Sequence, residues 1–211
     1  MHANDSAPSQ RSSPAVLVLL VCTLLFWPGA WEAGAELLQC PAPRTSEYRI
    51  AIHCSSRVLQ LWRHAELIRE YPIEAGLGGI GKRRGGDHKT PVGCYEVSWM
   101  ASRICGKGHK IIEPRSWCKD NRFVNSATGP ALEKLWSDPY GGEQATVISI
   151  NYPNEAEIRK GFTGDCIHIH ADRRLFNGTL KKSFGCIHMF IPNAIELYNM
   201  VEVGTPVKIL P

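Results

Sequence analysis

The chain has 211 residues, 44% of them hydrophobic, and a formal charge of +4 at neutral pH. That length suits one domain of ordinary size with a packed core. The positive excess includes no basic run beyond Lys82-Arg83-Arg84 and no aromatic residues interleaved with it, which argues against nucleic acid as a partner.

Residues 1–35 read as a signal peptide. A polar start containing Arg11 leads into the apolar run Ala15 to Trp27 and then into the small residues Ala33-Gly34-Ala35, which fit a signal-peptidase pocket. The run is shorter than the roughly 20 residues a membrane-spanning helix needs, so export is expected and no stable membrane span after cleavage. An uncleaved anchor is the alternative, because the charge ahead of the run is weak. Gln39 stands where a lipoprotein cleavage site before Cys40 would need a small residue. Residues 36–211 then read as one domain, with an insertion at about 101–144. Loss of the leader leaves seven cysteines: Cys40, Cys54, Cys94, Cys105, Cys118, Cys166 and Cys186. In an oxidising compartment six can pair, leaving one reactive thiol.

Tyr48 to Cys54, Val58 to Trp62 and Leu67 to Ile73 are short stretches rich in branched and aromatic residues, expected as consecutive antiparallel strands. Leu77 to Gly93 is glycine-rich and delivers the chain, through Thr90-Pro91-Val92-Gly93, into a strand over Cys94 to Trp99. The insertion shows little periodicity and reads as a lid, a binding element or a tolerated surface excursion, which Cys105 and Cys118 could staple. Strand patterns return at Ala145 to Tyr152 and Asp165 to His170, followed by a polar connection from Ala171 to Lys182. Pro192 can open a helix whose Ala194, Leu197, Tyr198 and Val201 share one face, and Gly204 closes it. Pro206 to Leu210 is the last strand. The fold class is mainly β with one or two helices; the crossover helices of a doubly wound parallel sheet are missing.

Alternation along Cys166-Ile167-His168-Ile169-His170 puts Cys166, His168 and His170 on one face. Sixteen residues after His170 comes Ser183-Phe184-Gly185-Cys186, where Gly185 permits a tight bend beside the sulfur. A thiol attacks a carbonyl as its thiolate, and an imidazole within reach can take its proton and return it to the leaving amine. Cys186 and His170 are the natural pair. Backbone N–H groups around the Gly185-Cys186 turn could stabilise an oxyanion, each worth roughly 3 kcal/mol.

His170, a twelve-residue gap, Ser183, a variable residue, Gly185 and Cys186 together resemble the signature of the L,D-transpeptidase (YkuD-like) family. Asp87-His88-Lys89-Thr90-Pro91-Val92-Gly93 is similar to the family's Thr-Pro turn. Ile195 to Tyr198 and Gly204 to Val207 are similar to its closing helix and strand. The Asp-x-x-Thr-Pro turn and Ile150 to Asn154 look most like its YafK-type murein peptidase branch. The resemblance implies a β-sandwich-like catalytic domain, in the periplasm or at the cell wall, that acts on peptidoglycan stem peptides where an L-centre joins D-alanine. It also implies a Cys186 thioester, His170 as general base, a backbone carbonyl as the partner of His170, and no metal or organic cofactor.

One position departs from the family pattern. An apolar residue and Arg usually follow the cysteine, whereas here Ile187 and His188 do, and a neutral imidazole lacks the permanent charge and planar fork of a guanidinium. His168 has two readings, a group that orients or tunes the site and, more simply, a half-exposed strand histidine. Ser183 is a site hydrogen-bonder or a turn residue. Asp165 and Asp172 flank the strand with no assignable role. Two other functions stay open. Cys166, His168, His170, Cys186 and His188 are soft ligands that could hold zinc, although they lack the usual knuckle spacing. The His188 departure and the insertion also suit a wall-binding domain that kept the fold and lost the chemistry.

Overall fold

The structure is a computed structural model that describes residues 46–102, 118–119, 122–123, 138–164 and 166–211. The leader at 1–35, Cys40, Cys105, Asp165 and most of the insertion lie outside the described residues. Among the described residues no helix is long and apolar enough to cross a membrane.

Three strands, β1 (Tyr48–His53), β2 (Val58–Arg63) and β3 (Glu66–Glu74), form the expected antiparallel meander. β4 (Gly93–Ser102) follows the glycine-rich loop, and two short pairs occur at β5 (Cys118–Lys119) with β6 (Arg122–Phe123) and later at β9 (Leu175–Phe176) with β10 (Thr179–Leu180). The remaining strands are β7 (Thr146–Ile150), β8 (His168–Ala171), β11 (Ile187–Met189) and β12 (Pro206–Leu210). Eight of these strands hydrogen-bond in the order β1-β12-β4-β7-β8-β11-β3-β2, and β2 closes the sheet on β1. Pairings are antiparallel except β1 with β12 and β8 with β11. The mainly β class, with two α-helices among the described residues, agrees with the sequence reading, and the layers join in one closed sheet.

The two helices are short. α1 (Glu155–Arg159) starts at a capping box: the Asn154 side chain accepts from the Glu157 amide while the Glu157 carboxylate accepts from the Asn154 amide. α2 (Ile191–Met200) has Pro192 in its first turn, where a missing N–H costs nothing, and packs against β7 and β8 through Ala194 and Leu197. The polar connection after Ala171 contains the β9–β10 pair, and the strand before it is confined to β8.

The main core holds Ile50, Ile52, Leu59, Leu61, Ile148, Ile150, Ile169, Ile187, Leu197, Val207 and Ile209, all fully buried or nearly so. Alternation sorts β7 and β8 into two faces. Ile148 and Ile169 are register partners and point into this core. Val147 pairs with His170 and Ser149 with His168, so the opposite face of the same strands carries the histidines. A smaller cluster of Trp99, Ala101 and Val147 covers that second face, with Tyr140 and Cys166 packed on it.

Candidate active site

The parallel register of β8 and β11 assembles the site. Ile187 lies opposite Ile169 and His188 opposite His170, so Cys186, one residue before the ladder, stands at the level of His168. Cys186 is a half-buried free thiol. Its Sγ donates to the Cys166 carbonyl at 3.4 Å and accepts from the backbone N–H of His168. Burial pushes the thiol up to about 11, and the His168 amide and the Lys82 ammonium pull the other way.

His170 is almost wholly buried. Its Nδ1 lies 2.9 Å from the Ala171 carbonyl, an acceptor only, so Nδ1 carries the proton and Nε2 keeps its lone pair. Burial drives its pKa well below the usual imidazole range, and the neighbouring His188 and His168 add to this. The Ala171 carbonyl and Asp172 act in the opposite direction without overcoming it. Thiol and imidazole are therefore both held neutral at rest.

His188 is a second, differently anchored imidazole. Its ring stands edge-on to His170 with centroids 4.7 Å apart. Its Nδ1 reaches two acceptors, the Lys181 carbonyl at 2.7 Å and Asp172 Oδ2 at 3.0 Å. The Asp172 side chain is fully buried and also accepts from Arg174 through Nε, Nη2 and the backbone N–H, at 3.1, 3.1 and 2.8 Å. Burial alone would raise the Asp172 pKa, but the bonds from His188 and Arg174 outweigh it and hold the group at about 2. Asp172, unassigned in the sequence, is thus the partner of His188. Arg174, two residues after Asp172, brings a guanidinium into this network, whereas position 188 holds a histidine.

His168 differs from its simpler sequence reading. It is completely buried, not half-exposed, and packs edge-on to Trp99 at 5.2 Å and against Tyr140 at 5.9 Å. Desolvation lowers its pKa to about 3, so it is a neutral packing group. Ser183 is a turn residue: its Oγ accepts from the Gly185 amide at 2.9 Å and donates to the Cys186 carbonyl. The Gly185 N–H is therefore engaged by Ser183. Gly185 itself has φ 131, and a Cβ there would lie 2.8 Å from the Lys89 carbonyl.

The cysteine arithmetic also changes. Among the described residues two thiols are free, Cys54 as well as Cys186, so six of the seven cysteines after residue 35 cannot pair. Cys54 lies in the turn between β1 and β2, where burial pushes its pKa up to about 11. Cys94 and Cys166 are disulfide-bonded. Cys166 is thereby unavailable as a thiolate ligand, and no three His, Cys, Asp or Glu side chains among the described residues are grouped to hold a metal.

Two further contributors were not anticipated. Tyr140, near the end of the insertion, lays its ring 4.4 Å from His170 at 32°. Gly141, at φ 109, allows this close approach, because a Cβ there would meet the Ala171 Cβ at 3.0 Å. The second contributor is the glycine-rich loop. Asp87 accepts from Lys82 Nζ at 2.8 Å and from the amides of Arg83, Arg84 and Lys89. Thr90 Oγ1 accepts from the Gly76 amide and donates to the Gly185 carbonyl at 3.0 Å, which ties the loop to the Ser183–Cys186 turn. The sequence signal for both was local: a turn-rich Asp-Pro-Tyr-Gly-Gly, and an aspartate among glycines.

Among solved structures the fold is similar to that of Bd1075 from Bdellovibrio bacteriovorus, at 25% identity and a TM-score of 0.52 over 80% of this chain and 50% of that one. It is also similar to Pgp2, a helical cell shape determining protein from Campylobacter jejuni, at 20% identity and a TM-score of 0.50 over 85% and 54% of the two chains. This chain spans about half the length of either structure. No curated protein matches it. Residues 47–209, which take in the Ser183–Cys186 turn and all of the closed sheet except Leu210, match the model of the YkuD L,D-transpeptidase catalytic domain, and the chain belongs to that family.

Proposed function

We propose that this protein is an exported, cysteine-dependent L,D-transpeptidase or L,D-peptidase, periplasmic or wall-associated, that acts on peptidoglycan stem peptides through a Cys186 thioester. The observation that carries the reading is the fixed tautomer of His170. With Nδ1–H bonded to the Ala171 carbonyl, the bare Nε2 is the basic atom of a ring on the strand beside Cys186.

His170 Nε2 takes the Cys186 proton as Sγ attacks the carbonyl of the L-centred third residue. The C–N bond to D-alanine then breaks, the proton passes from His170 to the departing amine, and a thioester remains. Water or an amine attacks the thioester, giving its proton to His170, and the sulfur leaves to be reprotonated. Water yields a peptidase and an amine yields a cross-link. Because thiol and imidazole are both neutral at rest, proton transfer accompanies attack and no preformed ion pair is needed. With the Gly185 amide bonded to Ser183, the Cys186 amide is the donor assigned to the oxyanion. Asp172, held by Arg174, keeps the His188 ring fixed beside His170.

Incubation of the mature domain with defined muropeptides, with products read by mass, tests this reading. Loss of D-alanine, with or without its replacement by an amine, supports it. An unchanged muropeptide under all conditions refutes it in favour of a wall-binding domain without chemistry.

A further inference from the structure

Phe184, between Ser183 and Gly185, is 73% exposed, the most exposed large hydrophobic side chain among the described residues. Single exposed apolar residues are ordinary, but this one has company. The exposed His88 ring lies 4.7 Å from it, tilted by 44°. Leu77 is 59% exposed and is joined to the same turn through its amide, which donates to the Ser183 carbonyl at 2.8 Å. Three solvent-facing groups thus surround the turn that ends in Cys186.

Several backbone amides beneath them are already committed. The Gly76 amide donates to Thr90 Oγ1, Gly78 to the His88 carbonyl, Thr90 to Gly79, Ser183 to Ala75, and Gly185 to Ser183 Oγ. The clearance is just as tight, because a Cβ on Gly78 would lie 2.4 Å from the Asp87 carbonyl. An extended peptide is recognised largely through unpaired backbone groups, and these amides offer none. What remains is an apolar aromatic face beside a polar imidazole. That surface suits a pyranose, whose C–H face packs on a ring while its hydroxyls meet a hydrogen-bonding edge.

We propose that Phe184, with His88 and Leu77, is a subsite for one sugar ring of the glycan strand, so that the protein favours stem peptides still attached to their sugars. The inference rests on the proposed peptidoglycan reading and adds the glycan to it. The stacking surface is rigid before the ligand arrives, because its loop is pinned by Asp87 and Thr90.

The test uses Cys186→Ala protein, which cannot turn over, and three probes: a free stem tetrapeptide, the disaccharide-tetrapeptide, and a peptide-free oligosaccharide of N-acetylated sugars. The disaccharide-tetrapeptide is expected to bind about tenfold tighter than the free tetrapeptide. Adding Phe184→Ala should erase that difference and the binding of the oligosaccharide while leaving the free tetrapeptide unaffected. Phe184→Trp should restore both. Equal weakening of all three probes, or oligosaccharide binding that ignores position 184, overturns the proposal. Because binding is read without turnover, a sugar-dependent effect of Phe184 in a protein that never cleaves muropeptides would sink the enzymatic reading and leave the subsite standing.

Discussion

The Ser183–Cys186 turn leans on two supports that differ in kind. On one side is β8, whose order comes from a ladder of backbone bonds and from Ile169 in the main core. On the other is the 76–90 loop, which contains no strand of the closed sheet and is held by isolated backbone bonds together with two side chains, Asp87 and Thr90. The sheet side presents the imidazoles, with that of His170 neutral and held in one tautomer by the Ala171 carbonyl. The loop side presents shape, a buried ammonium at Lys82 and an aromatic surface. On the proposed reading, proton chemistry falls on the ladder-held side and contact with the rest of a large substrate on the loop side.

The largest effects should come from the sheet side. Cys186→Ala should reduce turnover of a defined muropeptide by at least about a thousandfold, and His170→Gln by roughly a hundred- to ten-thousandfold, with thermal unfolding little changed in either. A His170 variant with ordinary turnover would remove that ring from the proton path. Next in size is the junction of the two supports. Gly185→Ala adds a Cβ to a backbone at φ 131 and 2.8 Å from the Lys89 carbonyl, so it should cost about 3 kcal/mol in denaturant unfolding and lower activity with it.

The loop side alone should give smaller losses. Thr90→Val removes the hydroxyl that satisfies Gly76 and reaches Gly185, and is expected to cost about 1–3 kcal/mol. A neutral outcome in urea unfolding would mean that the loop does not support the turn. The last effect, read as a pH dependence, concerns Asp172. Its folded pKa, about 2, lies below its unfolded value near 3.8, so folding favours the carboxylate. That contribution is present above about pH 4 and is lost as the pH falls through about 2. Unfolding followed from pH 5 to pH 2 should show this loss in the parent protein, and Asp172→Asn should lack its share of it. Identical acid profiles would mean that the His188 and Arg174 contacts carry no energy.

The sheet side was also the more legible in the sequence. Period-two alternation around Ile167 and Ile169 put His168 and His170 on the face opposite the core, and Pro192 marked the start of α2. β11, only three residues long, is too short to leave a periodic signal. The pairing of Asp172 with His188 depends on the parallel register of β8 and β11, which no local pattern encodes. The burial of His168 came from Trp99 and Tyr140, residues distant in the chain. α1 was missed although Asn154 and Glu157 carry its capping box in plain view. The loop was visible as glycines and a Thr-Pro turn, yet its anchor through Asp87 became clear only once four donors converged on one carboxylate.

The most direct test is to catch the covalent intermediate. Rapid acid quenching of the protein with a muropeptide, followed by peptide mapping, should find the acyl group in thioester linkage on Cys186, with one D-alanine released for each group captured. Acylation of another residue, or D-alanine released at the full rate by Cys186→Ala, would contradict the account.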